Sequence, residues 1–291
     1  MLLFNNEYGR VIQTKTSQGS ILIEIEHLFA NAKISLFGGQ VISWQPVGEN
    51  EVFWLSKNLA VEKGKAIRGG IPLCWPWFGK HPQDSENSAG NHGFVRDKNW
   101  NLETIKIDEN NVEIRLSWQG DNMSALWPNQ CKLEQRLTIG KTFKQILTMQ
   151  NLSSHNAYYT SALHNYFLVS SPNSVVVNGL SESTFFDKMS NKICEPKKLT
   201  NCTGPVDRIY NTNNSIQLVD KAWNRIIELK TTNTHHWVLW NPGLEIAESM
   251  IDIHSNGEQE FVCLEPANTN ETLLSSGAEI KISQEISIIN H

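Results

Sequence analysis

Two stretches of the chain combine arginine with glycine, proline and aromatic residues, a mixture suited to binding a small polar ligand. They are R-G-G-I-P-L-C-W-P-W-F-G, which begins at Arg68, and H-G-F-V-R, which runs from His92 to Arg96. Glycine lets a backbone approach a ligand closely, and proline fixes that backbone in place. The planar guanidinium fork fits a phosphate or carboxylate, and histidine can donate, accept or transfer a proton. The two stretches therefore predict a preformed cleft for a small anion, with Arg68 and Arg96 as its contacts.

Three further segments place a titratable group in strand-like surroundings. His164 lies in S-A-L-H-N-Y-F, Asp207 in V-D-R-I-Y, and Glu265 in F-V-C-L-E-P-A-N. A carboxylate at the end of a buried strand is costly unless it has partners or a chemical role. Each residue taken alone also fits a structural role, as a core histidine, a loop ion pair or a paired buried acid. The residues by themselves leave both interpretations open.

The composition excludes several classes of partner. The chain has 291 residues and a formal net charge of −5, without a basic run, so we expect no nucleic-acid partner. No window approaches the roughly 20 apolar residues of a membrane span, and the amino terminus lacks the features of a signal peptide. The five cysteines are scattered without a C-x-x-C pair, which predicts free thiols in the cytoplasm. No H-x-H or H-E-x-x-H pattern indicates a metal.

Period-two alternation of apolar and polar residues dominates the chain and predicts an all-β protein. Gly38-Gly39 and Gly140-Lys141 indicate two hairpin turns. We expect one short helical turn in Ser56–Glu62 and a long loop in Asp187–Asp207. The whole sequence, residues 1–291, is expected to form a single domain built as a large antiparallel sandwich or barrel. The predicted strands are Ile21–Glu26, Lys33–Phe37, Gln40–Trp44, Val112–Trp118, Cys131–Ile139, Thr142–Met149, Ser174–Asn178, Ser215–Val219, Arg225–Lys230, His236–Trp240, Glu260–Leu264 and Ala278–Ile288.

Six motifs in a fixed order give the sequence a family resemblance. The order R-G-G-I-P-x-x-W-P-x-F-G, H-G-F-x-R, L-H-x-Y-F, V-D-R-x-Y, W-N-P and V-C-x-E-P closely resembles the hexose-6-phosphate mutarotases, a branch of the aldose 1-epimerase family. The resemblance runs from about Ala32 to the C-terminus. It implies a galactose-mutarotase-like β-supersandwich of antiparallel sheets. It also implies interconversion of the α and β anomers of a hexose 6-phosphate, without a metal or organic cofactor.

The resemblance assigns a role to each candidate residue. It implies that His164 is the general acid and Glu265 the general base, and that Asp207 orients sugar hydroxyls. His92 would contact the sugar, and Arg68 and Arg96 would bind the substrate phosphate. The chain departs from the family pattern at Asn91, where glutamine is common, and at Asn165, where serine or threonine is common. Neither departure removes a reacting group, so they affect only the expected fine shape of the pocket.

The chemistry that the resemblance implies suits these residue types. Opening a cyclic hemiacetal removes the proton of the anomeric hydroxyl while the ring oxygen receives one. We expect Glu265, as carboxylate, to take the first proton and His164, as imidazolium, to give the second. Two alternatives stay open: a mutarotase of free hexoses such as galactose, and a non-catalytic carbohydrate-binding protein on the same sandwich. The expected partner is a small sugar phosphate, and the expected state is a monomer.

Overall fold

Antiparallel strands make up almost all regular structure in the computed structural model, which describes residues 1–16, 19–58 and 66–290. Within these ranges there are twenty-one strands, one short α-helix and three 3₁₀ turns. The strands are β1 (Leu2–Asn6), β2 (Gly9–Lys15), β3 (Ile21–His27), β4 (Ala30–Ser35), β5 (Gln40–Pro46), β6 (Leu73–Cys74), β7 (Asn101–Ile107), β8 (Asn111–Gly120), β9 (Cys131–Gly140), β10 (Thr142–Asn151), β11 (Ala157–Leu163), β12 (Tyr166–Leu168), β13 (Val175–Asn178), β14 (Phe185–Asp187), β15 (Lys192–Cys194), β16 (Val206–Tyr210), β17 (Ile216–Asp220), β18 (Arg225–Thr232), β19 (His236–Asn241), β20 (Phe261–Leu274) and β21 (Glu279–Asn290). Helix α1 spans Gly243–Glu248, and the 3₁₀ turns are Val95–Asp97, Pro172–Ser174 and Gly257–Gln259.

The strands form three sheets. The first is a five-stranded meander in the order β1-β2-β3-β4-β5. The second has eight strands in the order β13-β17-β18-β21-β10-β9-β8-β7. The third also has eight strands: seven follow the order β15-β14-β16-β19-β20-β11-β6, and the eighth, β12, pairs with β20. Both predicted hairpins are present, because β4 pairs with β5 and β9 pairs with β10. The expectation of an all-β sandwich of antiparallel sheets is confirmed.

The principal core lies between the two eight-stranded sheets. Its buried side chains include Leu137 and Leu147 from the second sheet, and Leu239 and Leu264 from the third. Such alternating strands bury one face against a second layer and point the other face away from it. In the third sheet this outer face is itself covered at its centre, because Val238, Glu265 and Ala267 are at most 1% exposed, so a binding site there would be a pocket.

The helical and loop predictions fared less well. The predicted turn in Ser56–Glu62 lies partly outside the described residues, and no helix forms over 56–58. The expected long loop in Asp187–Asp207 is partly wrong, because β14 and β15 form a hairpin at its start and only the stretch up to β16 is irregular. Helix α1 was not predicted, since six residues are too few for a helical period to be recognised in sequence. No helix in the described ranges is long and apolar enough to cross a membrane.

Candidate active site

The register of three neighbouring strands gathers the candidate side chains on the outer face of the third sheet, which points away from the principal core. Val238 on β19 lies opposite both Ile209 on β16 and Glu265 on β20. Two residues further along β19, Trp240 lies opposite Asp207 on β16. Because side chains alternate between faces with period two, these residues point to the side away from the core residues between them.

His164 reaches the same place from a break between two strands. It follows the last residue of β11 and precedes β12, and its backbone N–H donates to the carbonyl oxygen of Pro72 at 3.1 Å. The sequence predicted a histidine inside a strand, whereas the structure places it between two strands that both pair with β20. The interruption brings its imidazole next to Glu265.

A pocket of about 570 Å³ opens at this point of the sheet. All six residues singled out from the sequence line it: Arg68, His92, Arg96, His164, Asp207 and Glu265. The volume suits a small polar ligand. The structure thus brings together residues that lie up to nearly two hundred positions apart in sequence, while their individual roles stay predictions.

His164 and Glu265 form a buried pair in the pocket. The imidazole Nδ1 lies 3.3 Å from Oε1 of Glu265, and the side chains are only 7% and 1% exposed. Burial raises the pKa of Glu265 well above its ordinary value, and the nearby Asp207 adds to this while Lys188 opposes it. Burial also lowers the pKa of His164 well below its ordinary value, helped by the positive charge of Arg68. Both shifts favour the neutral forms of the two groups, whereas the roles expected from sequence begin with an imidazolium and a carboxylate, and those roles stay a prediction.

Aromatic rings fix the orientation of the His164 imidazole. Tyr166 stacks on it with ring centres 4.7 Å apart and planes inclined by 5°. His92 and Trp240 meet its ring edge-on at 5.4 and 6.2 Å. A ring packed on three sides has little freedom to turn. On Glu265 the second carboxyl oxygen, Oε2, is buried and has no hydrogen-bond partner among the described residues.

His92 is held so that one ring nitrogen faces its own loop and the other is left for a ligand. Its Nδ1 accepts a hydrogen bond from the N–H of Gly79 at 3.1 Å, and its backbone N–H donates to the Gly79 carbonyl at 2.7 Å. Burial and the charge of Arg96 lower the pKa of His92 well below its ordinary value. A neutral ring that accepts at Nδ1 carries its proton on Nε2, where it can donate to a sugar oxygen.

The two arginines differ in how far the protein already satisfies them. Arg68 donates to the carboxylate of Asp252 at 2.8 and 2.9 Å and to the hydroxyl of Tyr166 at 2.8 Å. Arg96 donates from Nη2 to the carbonyl oxygen of Asn91 at 2.9 Å, while its buried Nε has no partner in the described ranges. Arg96 is therefore the better placed of the two to bind an incoming anion.

The glycines of both motifs are required by close backbone contacts. Gly70 has φ of 61° and Gly93 has φ of 70°, in the left-handed region that favours glycine. A Cβ atom at Gly70 would clash with the carbonyl oxygen of Val41, and one at Gly93 would clash with that of Trp75. These contacts hold the arginine and histidine loops against the sheet, which explains the R-G-G and H-G patterns.

Sequence reasoning missed a cation at the pocket. Lys188, in the turn between β14 and β15, places its Nζ 2.8 Å from Oδ2 of Asp207. Burial raises the pKa of Asp207, and the charge of Lys188 opposes that shift. No sequence signal could have found Lys188, because it lies in the stretch expected to be an irregular loop. Phe78, a member of the first motif, also lines the pocket.

The two departures from the family pattern have different consequences. Asn91 lines the pocket and holds Arg96 through its backbone carbonyl rather than through its side chain. Asn165 is fully buried and points its amide towards Leu264 and Gln284 in the core. The substitution at Asn165 therefore bears on the support beneath the pocket rather than on its wall.

One group of side chains has the donor types of a metal site. His164, Cys263 and Glu265 each offer one donor atom, and these atoms lie within 4.8 Å of one another, the single such group in the part of the chain described. Nitrogen, sulfur and oxygen donors of this kind suit Zn²⁺. The same imidazole and carboxylate would have to be free of metal to exchange protons with a ligand. The expectation that the protein uses no metal stays a prediction.

The structure thus combines a sandwich of antiparallel sheets with a pocket in which a buried histidine–glutamate pair lies beside basic side chains. The sequence model described as aldose 1-epimerase matches residues 22–287. A protein of Escherichia coli strain K12 named "Putative glucose-6-phosphate 1-epimerase" is 36% identical over 86% of this chain and 84% of its own length. The chain belongs to the aldose 1-epimerase family.

Solved structures agree with this assignment. The crystal structure of "a putative mutarotase" from Salmonella typhimurium has a TM-score of 0.87 and 31% identity, covering 100% of this chain and 97% of the other. A "galactose mutarotase-like protein" from Clostridium acetobutylicum has a TM-score of 0.77 at 14% identity, covering 98% of this chain and 100% of the other. The second likeness concerns the fold alone, and it confirms the expected galactose-mutarotase-like architecture.

Proposed function

We propose that this enzyme, an isomerase of the aldose 1-epimerase family, interconverts the α and β anomers of a hexose 6-phosphate. The observation that carries the proposal is the buried contact between His164 and Glu265 in a pocket that also holds Arg96. The names of the relatives, which include glucose-6-phosphate 1-epimerase, support the same substrate class.

The number of protons in the reaction matches the number that the pair can hold. Ring opening takes one proton from the anomeric hydroxyl at O1 and puts one on the ring oxygen O5. For Glu265 to take the O1 proton and His164 to give one to O5, the single proton of the pair must begin on His164, and it ends on Glu265. After rotation about the C1–C2 bond of the open aldehyde, the reverse transfers close the ring on the opposite face. We assign the O1 proton to Glu265 and the O5 proton to His164. From the neutral pair, the proton of Glu265 first passes to Nδ1 of His164, 3.3 Å away, which leaves Glu265 as the base and His164 as the acid.

The remaining side chains bind and orient the sugar phosphate in this proposal. Asp207 accepts from sugar hydroxyls, and His92 donates from Nε2. Arg96 binds the phosphate through the N–H groups that the protein leaves free, with Arg68 beside it. Oriented binding of this kind supplies position rather than chemistry.

A mutarotase of free hexoses is the second candidate. It would use the same His164 and Glu265 but has no need of the cationic side chains that line the pocket, which include Lys188. A non-catalytic sugar-binding protein would have no use for a buried pair with an unpartnered carboxyl oxygen. Both observations favour the sugar-phosphate enzyme.

Three coarser properties also belong to the proposal. We infer a single domain over residues 1–291, which the match to the family over residues 22–287 supports. We infer a monomer, as expected from the sequence. We infer a cytoplasmic enzyme, because all five cysteines are free thiols and four of them are buried.

Anomer-exchange NMR on glucose 6-phosphate, with and without the protein, tests the proposal. We expect exchange well above the spontaneous rate, and a markedly smaller kcat/KM with glucose under the same conditions. Equal acceleration of both sugars would favour the free-hexose mutarotase. Binding of glucose 6-phosphate without any acceleration would favour the non-catalytic protein.

The pH dependence of kcat follows from the direction of the two pKa shifts. The pair carries one proton between a lower apparent pKa, which the lowered value of His164 sets, and an upper one, which the raised value of Glu265 sets. We expect a bell-shaped profile whose acid limb lies below the usual range of histidine and whose alkaline limb lies above the usual range of glutamate. A profile with activity lost on falling through the ordinary histidine range would contradict the neutral pair.

A further inference from the structure

Four buried amide side chains form a continuous hydrogen-bonded chain beneath the acid–base pair. They are Gln135 on β9, Gln145 on β10, Gln284 on β21 and Asn165 next to His164, and each is at most 1% exposed. Amides buried in this way are costly unless they are paired. The sequence motifs gave no reason for such a cluster in the core of a sandwich.

The hydrogen bonds run in one direction through the core. Gln284 donates from Nε2 to Oε1 of Gln145 at 2.8 Å, Gln145 donates to Oε1 of Gln135 at 2.7 Å, and Gln135 donates to the carbonyl oxygen of Gly39 at 2.6 Å. At the other end, Asn165 and Gln284 exchange two bonds of 2.8 and 2.9 Å. A chain in which every amide has its partners has one low-energy arrangement, so its members are fixed relative to one another.

The Asn165 end of this chain of amides holds the backbone next to both members of the acid–base pair, His164 and Glu265. Nδ2 of Asn165 donates to the carbonyl oxygen of Leu264 at 2.9 Å, and the N–H of Leu264 donates to the carbonyl oxygen of Asn165 at 3.3 Å. Asn165 adjoins His164 in sequence, and Leu264 adjoins Glu265. The side chain of Asn165 thus joins the two peptide segments on which the acid–base geometry depends.

The Gln135 end of the chain of amides rests on the Gly38–Gly39 turn. The N–H of Gly38 donates to the carbonyl oxygen of Lys98 at 2.7 Å. A Cβ atom at Gly38 would lie 2.8 Å from the carbonyl oxygen of Arg96, so this turn packs directly on the backbone that carries the anion-binding arginine. The chain of amides is therefore anchored on the part of the pocket that carries Arg96.

We propose that Asn165 and Gln284 are positioning residues that set the distance and orientation between His164 and Glu265, with Gln145 and Gln135 anchoring them to the Gly38–Gly39 turn. Neither amide lines the pocket, so both act through the pair rather than on the sugar. This inference rests on the proposed roles of His164 and Glu265 as acid and base. Small displacements of reacting groups are known to cost up to about 100-fold in rate.

The test measures kcat, KM and thermal stability for Asn165→Ala and Gln284→Met in the full chain with glucose 6-phosphate. Methionine matches the size and unbranched shape of glutamine without its amide, which keeps a folded variant within reach if the alanine variant does not fold. We expect kcat to fall about 10- to 100-fold in each while KM stays within about threefold, because the anion contact at Arg96 is retained. We also expect the imidazole ¹H–¹⁵N resonances of His164 to shift.

Asn151 provides a matched control. It is another fully buried amide on β10, and its Nδ2 donates to the carbonyl oxygens of His155 and Leu274 at 2.8 and 3.0 Å, outside the chain of four. Asn151→Ala should lose stability but keep kcat and the His164 resonances. If Asn165→Ala and Gln284→Met behave like Asn151→Ala, the amides are merely structural and the inference is overturned.

The same experiment separates this inference from the proposed function. If His164→Ala keeps the wild-type rate, the assigned roles are wrong whatever the amide variants show. If His164→Ala loses activity while the amide variants keep their kcat, only the positioning role is wrong.

Discussion

His164→Ala and Glu265→Gln are each expected to lower kcat for anomer exchange of glucose 6-phosphate by about 100- to 10,000-fold. The physical reason is that each variant removes one site of a buried pair through which a proton must be taken up and released. Glutamine keeps the shape of the carboxyl group, so KM should change little. Because the two groups act on one proton, the double variant should be about as slow as the slower single variant.

The control variants for this prediction lie on the surface. His155→Ala removes an exposed histidine, and Glu285→Gln removes a surface carboxylate that lies 3.9 Å from Lys144. Both should retain wild-type exchange rates and stability. Rates are measured as exchange by NMR at chemical equilibrium, with the spontaneous rate subtracted. Exchange at the wild-type rate in either pocket variant would refute the assignment of roles.

The sheets of this protein were predictable because their signal is local. Alternation in Cys131–Gly140 and Thr142–Asn151, with a glycine turn between them, specifies a hairpin without reference to the rest of the chain. The order in which the strands assemble was not visible in the same way. Strand β21 pairs with both β10 and β18, more than a hundred and about fifty positions earlier, through contacts that no short window encodes.

The site was predictable as a set of residues but not as a geometry. The six motifs named every candidate residue, and all of them line one pocket. The proton state of the pair could not be foreseen, because it depends on the complete burial of Glu265 and on neighbours such as Asp207. Lys188 and Asn165 were missed as contributors for a related reason, since their importance comes from partners distant in sequence.

Arg96→Ala is expected to raise KM for glucose 6-phosphate by about 10- to 100-fold with a smaller effect on kcat, because a hydrogen bond to a charged group contributes about 1.5–3 kcal/mol. The unpartnered Nε of Arg96 marks it as the arginine with capacity for an added anion. Arg68→Ala is a less direct test, since it would leave Asp252 and the hydroxyl of Tyr166 without their partner and so disturb the pocket itself.

The decisive measurement for Arg96 compares two sugars. With glucose, which lacks the phosphate, Arg96→Ala should change kcat/KM little. The ratio of kcat/KM for glucose 6-phosphate to kcat/KM for glucose should therefore fall by nearly the same factor by which KM for glucose 6-phosphate rises. Arg10→Ala serves as the matched control, because Arg10 is an exposed arginine on β2 that pairs with Glu26 away from the pocket. An unchanged preference in Arg96→Ala would mean that the phosphate binds elsewhere, and a parallel loss with both sugars would mean that Arg96 supports the pocket rather than the anion.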